Sequence, residues 1–148
     1  MTQRWLSGVQ QQVWRNYLAM VTGLQTAMNR QLQADCGLSL ADYDVLVALS
    51  EQGPLRVYEL VGELGWEQSR LSHQLTRMRT RGLIDRQGSD QDRRGAVVDI
   101  TATGRRALAT AAAGHVELVR SVVFDGMSPS QLRAFDELTR TVLARLAS

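Results

Sequence analysis

The 148-residue chain contains no lysine: all seventeen of its basic residues are arginine. Arginine offers planar, bidentate donors suited to phosphate and guanine, but the bias runs along the whole chain and so reflects coding preference more than a site. A single cysteine, Cys36, excludes an internal disulfide and suits a reducing compartment. It follows Asp35, a neighbour that disfavours thiolate, and has no second cysteine to resolve a sulfenate, so redox-insensitive behaviour is expected. The two histidines, His73 and His115, lie far apart in the chain and with that one thiol make no metal-ligand cluster. There is no glycine-rich phosphate loop and no nucleophile beside a base, so neither catalysis nor a cofactor or metal is expected. No run of 18 apolar residues occurs and the N-terminus has no apolar signal-like segment, which predicts a cytoplasmic protein without a membrane partner.

What is present fits one ordered domain, 1–148, since 44% hydrophobic content can fill a core. The formal net charge of +2 is small, but between Arg70 and Arg94 seven arginines face only Asp85, Asp90 and Asp92. That local excess sits in the stretch around which the chain is organised, Val57 to Thr101.

Within Glu67–Arg81 the large apolar residues Leu71, Leu75 and Met78 are four and three apart, one narrow stripe on a helix. Ser69, His73, Thr76, Arg77 and Thr80 fall opposite it with Arg70 on a flank, and no carboxylate follows Glu67. Such a face suits a major groove: Arg forks onto guanine, Gln onto adenine, and hydroxyls reach bases or phosphates. Upstream, Val57–Leu64 reads as a short helix with Leu60, Val61 and Leu64 inward, joined to the polar helix by a turn at Gly65-Trp66. Glu59, Glu63 and Glu67 form a solvated acidic edge. Downstream, Gly82 ends the polar helix, and Leu83–Gln87 and Ala96–Ile100 read as two strands of a hairpin with Arg93 and Arg94 at its tip.

The run Ser69-Arg-Leu-Ser-His-Gln74, the closing Arg81-Gly82-Leu83-Ile84, and Asp90-Gln-Asp92-Arg93-Arg94 followed by Thr101 and Gly104 resemble the multiple-antibiotic-resistance regulator (MarR) family of winged-helix transcription factors. The resemblance extends over nearly the whole chain. It implies a mainly α fold with a small β-hairpin wing (α+β), with the winged helix-turn-helix at about 39–101. Dimerisation helices at about 9–34 and 102–147 would interlock between two subunits. It further implies contacts to double-stranded DNA from Asp92 and Arg94 of the wing signature. With the recognition-helix residues, the candidate set becomes Ser69, Arg70, Ser72, His73, Gln74, Arg77, Asp92, Arg93 and Arg94. Trp14, Tyr17, Tyr43 and His115 are amphipathic groups on helices expected to converge, and relatives often bind aromatic carboxylates or phenolic compounds there. These four are the candidate effector residues, with an ordinary core whose polar tips are satisfied as the other reading.

The flanking helices supply the rest. Val9, Val13, Trp14, Tyr17, Val21, Leu24, Met28 and Leu32 recur mostly at steps of three and four, predicting an amphipathic helix about 35 Å long that ends at Gly37. Ser39-Leu-Ala-Asp42 reads as a capping box opening a helix to about Gln52, with Tyr43, Leu46, Val47 and Leu49 inward. Thr101 caps a fifth helix carrying Leu108, Ala112, His115, Val119 and Val122 on one face; it ends near Phe124 at Asp125-Gly126, and Gly114 weakens its middle. Ser128-Pro129-Ser130-Gln131 starts the last helix at Pro129, with the stripe Leu132, Phe135, Leu138, Val142 and Leu146. These stripes exceed what a compact reader can cover, so a two-fold homodimer is expected, which also sets two recognition helices about 34–36 Å apart. The expected function is a transcriptional repressor on a pseudo-palindromic operator, released by a small aromatic ligand. The rival is a winged-helix protein-interaction module whose arginines are merely surface.

Overall fold

The computed structural model describes residues 2–88 and 96–148. The elements in order are α1 (Gly8–Cys36), α2 (Leu40–Gln52), β1 (Leu55–Arg56), α3 (Val57–Leu64), α4 (Gln68–Thr80), β2 (Ile84–Gln87), β3 (Val97–Ile100), α5 (Ala102–Val119), a π-helical turn (Arg120–Phe124) and α6 (Pro129–Ala147). The chain divides into two units, Met1–Gly114 and His115–Ser148.

Helix starts follow the local chemistry. Ser7, Ser39 and Ser128 each accept from the backbone N–H three residues on, and Gln10, Asp42 and Gln131 return the bond to the cap's own N–H. Glu59 does the same for Arg56 at the head of α3, accepting from its N–H at 2.9 Å. Stops are equally explicit: Gly37, Gly65 and Gly82 adopt the left-handed backbone that ends α1, α3 and α4.

The first unit holds the core. Leu32, Leu38, Val45, Leu46, Leu49 and Leu60 join Leu71, Leu75, Met78, Ile84 and Val98 in one buried cluster. On α2 the inward set is wider than the spacing suggested: Val45 and Ala48 are buried beside Leu46 and Leu49, whereas Tyr43 and Val47 are half-buried. The expected hairpin is there, with Ile84 opposite Ile100 and Gln87 opposite Val97. A third strand was not anticipated: β1 pairs antiparallel with β3, Leu55 opposite Val98 and Arg56 opposite Val97, giving the sheet order β1-β3-β2. The expected apex with Asp92, Arg93 and Arg94 lies outside the described residues.

The hairpin base, the end of α4 and the start of α5 are tied at one point. The Thr101 hydroxyl donates to the Gly82 carbonyl at 2.6 Å and accepts from the Gly104 N–H at 3.0 Å, while the Thr101 N–H donates to the Leu83 carbonyl at 3.1 Å. A Cβ at Gly104 would run into that Leu83 carbonyl and lie 2.9 Å from Ile100 Cγ1. Gly114, weak for a helix interior, is explained the same way, since a side chain there would collide with Gln31 and Asp35 of α1. Length and composition alone would let Ala102–Phe124 cross a bilayer, but its first turn is fastened to the sheet by Thr101 and Gly104.

Burial along α1 is graded: Val9, Val13, Trp14 and Tyr17 are exposed, Val21, Leu24 and Met28 half-buried, and Leu32 buried. In the second unit Leu132, Phe135, Leu138, Val142 and Leu146 of α6 are all exposed, so the stripe read from the sequence exists and is uncovered in a single chain.

Replacing Gly104 by Ala should destabilise the chain by about 2 kcal/mol, because the obstructing atom is backbone and cannot rotate away. Thermal melting checks this: a fall in Tm of roughly 5 °C is expected, and an unchanged Tm would disprove the close packing.

Candidate nucleic-acid interface

Helix α4 buries Leu71, Leu75 and Met78 and exposes Ser69, Arg70, His73, Thr76, Arg77, Arg79 and Thr80, with Ser72 half-buried. Of the candidate DNA-contacting residues on this helix, Ser69, Arg70, His73 and Arg77 are therefore brought to one outward face. Gln74 is not. It is only 4% exposed, so the expectation that it shares that face is corrected. The spacing already carried the signal, since Gln74 stands three residues after Leu71 and four before Met78, on the edge of the apolar stripe.

Gln74 can be inside because both ends of its amide are partnered. Its Nε2 donates to Asp42 Oδ1, and its Oε1 accepts from Arg77 Nη2 at 2.8 Å. Asp42, 4% exposed, is the hub. Its Oδ2 accepts from the Ser39 N–H at 2.9 Å and from Arg81 Nη1 at 2.8 Å, and Arg81 Nη2 donates to the Gly37 carbonyl at 2.7 Å. The capping box of α2 thus doubles as the anchor of α4. A buried carboxylate with this many donors meets the condition under which burying a charge is tolerated.

The other arginines are also oriented. The Arg70 guanidinium lies 4.2 Å from the centre of the Trp66 ring, a cation–π stack against the turn before α4. Sequence reasoning missed two further cations: Arg79 and Arg86 line a groove between α4 and β2 together with Leu75, Thr76, Thr80 and Ile84. Both are exposed, and the signal available in the sequence was their membership of the arginine excess between Arg70 and Arg94.

The four candidate effector residues divide. Trp14 and Tyr17 stack with ring centres 5.3 Å apart on the exposed part of α1. Tyr43 instead lines a groove between α2 and α3 with Val47 and Trp66 and the acidic Asp44, Glu51 and Glu63; neither Trp14 nor Tyr17 is part of its lining. His115 is half-buried and belongs to the second unit. Cys36 is half-buried, its thiol donating to the Leu32 carbonyl at 3.3 Å.

Burial, then the charges of Asp44 and Glu51, raise the Tyr43 hydroxyl above the ordinary tyrosine value of 10.0. The folded state therefore holds this proton more tightly than the unfolded chain. The associated stability is complete below the ordinary value and is lost as pH rises from there through the raised one. Urea unfolding through that alkaline window should show a shallower decline for Tyr43→Phe than for the unaltered protein; parallel curves would remove the argument.

The fold agrees with that of known proteins. A MarR family model matches residues 37–95. The crystal structure of Sco3205, a MarR family transcriptional regulator from Streptomyces coelicolor, in complex with DNA, is 36% identical in sequence, with a TM-score of 0.91 over 99% of this chain and 93% of that one. AbsC, a MarR family transcriptional regulator from the same organism, is 33% identical with a TM-score of 0.88, covering 98% of this chain and 99% of its own. YfiV of Bacillus subtilis (strain 168), an uncharacterized HTH-type transcriptional regulator, is 26% identical over 134 residues, 89% of this chain and 81% of its own. Identity at this level over essentially complete chains, together with the winged arrangement described above, establishes that the chain belongs to the MarR family of winged helix-turn-helix transcriptional regulators.

Proposed function

We propose that this regulator acts in the cytoplasm as a homodimeric repressor that binds double-stranded DNA at a pseudo-palindromic operator and releases it when a small aromatic or phenolic ligand binds. The observation that carries the reading is the outward face of α4, where Ser69, Arg70, His73 and Arg77 are exposed on a helix anchored from behind through Asp42. Arg79 and Arg86 extend the cationic surface alongside it. A relative 36% identical to this chain has been solved with DNA. Asp92, Arg93 and Arg94, in the family's wing signature, serve as the second contact, along phosphate or in the minor groove.

Pairing of two chains is supported by the uncovered apolar residues. Trp5, Val9, Val13 and Trp14 on and before α1, and Leu138, Leu143 and Leu146 on α6, are each more than half exposed. Leaving that much apolar surface in water is unfavourable, and a two-fold mate covers the same patch on both copies. Such a pair presents two copies of α4 to successive major grooves on one side of the duplex. Ligand release requires that the ligand bind one spacing of the two readers better than the other. The exposed Trp14–Tyr17 stack and the Tyr43–Trp66 groove supply flat aromatic surfaces for such a ligand.

Sedimentation should give twice the 16.5 kDa chain mass; a monomer at micromolar concentration would end the dimer reading. A labelled duplex selected from random DNA should bind with steep salt dependence, each phosphate contact contributing a slope of about −0.9 in log K against log salt. Arg70→Ala and Arg94→Ala should each weaken binding, by roughly 5- to 100-fold for a base contact or with a salt slope smaller by about one for a phosphate contact. Salt-independent or absent binding would favour an interaction module. Thermal shift and release from the duplex, measured over a panel of aromatic acids, test the ligand; silence across the panel would dismiss that class.

A further inference from the structure

Gln74 is the one buried polar residue that α4 contributes among the described residues, and its amide has no freedom of orientation. A carboxylate only accepts, so the Asp42 oxygen facing Gln74 requires the NH₂ end of the amide. The amide oxygen is thereby turned to Arg77, whose Nη2 donates to it at 2.8 Å. Asp42 is fixed in turn by the Ser39 N–H and by Arg81, whose second nitrogen holds the Gly37 carbonyl. The chain of bonds runs from the rigid start of α2, through the core, out to one nitrogen of an exposed guanidinium.

Resting on the DNA-binding reading above, we propose that Gln74 is a positioning residue: set by Asp42, it holds the Arg77 guanidinium in one orientation so that its remaining nitrogens are presented to the duplex before contact. A long side chain free in solution loses rotamer freedom when it is fixed at an interface, and one already fixed by its own protein does not. Arginine suits this arrangement because its planar fork can satisfy a protein acceptor at one nitrogen while the others face outward. Gln74 itself touches no DNA; its effect on affinity passes through Arg77.

The test is a double-mutant cycle with Gln74→Met, which keeps length and removes the amide, and Arg77→Ala, read as affinity for a short labelled duplex selected from random DNA by the unaltered protein. Gln74→Met should weaken binding about three- to tenfold when Arg77 is present and less than about twofold when it is Ala. An equal loss in both backgrounds, or no loss in either, overturns the inference. Failure of the unaltered protein to bind any duplex overturns the DNA-binding reading instead, and the inference falls with it. In the free protein, ¹⁵N relaxation of the Arg77 guanidinium should report an ordered group that becomes mobile in Gln74→Met; identical mobility in both counts against the proposal. Should Gln74→Met not fold, Arg77→Lys at the exposed position decides: a point charge needs no orientation, so full affinity with lysine refutes the proposal, and a loss close to that of Arg77→Ala upholds it.

Discussion

The winged unit depends on one buried carboxylate. Asp42 caps the start of α2 in the ordinary way, returning a bond to the Ser39 N–H, but the same side chain receives Gln74 from the middle of α4 and Arg81 from its end. Arg81 then closes the circuit on the carbonyl of Gly37, the residue that stops α1. Three helices are registered against each other by a group whose burial is favourable only while its donors stay in place. Losing any one of them leaves charge or amide unsatisfied in the core, at a cost of roughly 3–5 kcal/mol for a broken buried pair, less at Arg81 because its own side chain is half in solvent. Apolar packing of Leu71, Leu75 and Met78 supplies attraction; the polar contacts specify position and azimuth, which a smooth stripe of leucines does not.

That registration also ties α4 to α1. Because Arg81 reaches Gly37, α4 cannot turn about its axis without disturbing the C-terminal end of α1. The far part of α1 carries the exposed Val9, Val13, Trp14 and Tyr17, whereas its last turns are anchored through Leu32. One helix therefore has an exposed apolar end and an end built into the winged unit. The Asp42 circuit joins that second end rigidly to α4. The Thr101 hydroxyl, held between Gly82 and Gly104, does the equivalent for α5 and the base of the hairpin.

Much of this was legible in the residues, for physical reasons that differ by element. Ser39-Leu-Ala-Asp42, Ser128-Pro129 and Gly82 announce helix ends because capping is decided within four residues, and those boundaries fall where the spacing puts them. The strand Leu55–Arg56 was not legible: two residues carry no alternation, and they are extended only because Val97 and Val98, forty residues on, offer a ladder. The residue type of Gln74 suggests an outward side chain, whereas helical spacing puts it at the core edge, and only the carboxylate thirty-two residues earlier makes a glutamine acceptable there. The π-helical turn at Arg120–Phe124 likewise has no signal in the apolar pattern, which continues through it. The apolar stripe of α6 and the N-terminal half of that of α1 lie exposed in a single chain, because three- and four-residue spacing marks a helical face without saying what covers it.

The absence of lysine acquires local meaning at three positions. Arg81 satisfies two acceptors with its two terminal nitrogens, Arg77 gives one nitrogen to Gln74, and Arg70 lays its plane on Trp66. A lysine ammonium can carry the same charge at each site, but it has no plane to stack and no fixed fork to divide between protein and ligand. Whatever set the genome's preference, the structure around α4 uses the geometry of guanidinium and not merely its sign. The formal net charge is only +2, but cations are directed outward on α4 while acidic side chains such as Glu51 and Glu63 are gathered in the groove between α2 and α3, so the field beside α4 is set by position and not by the total.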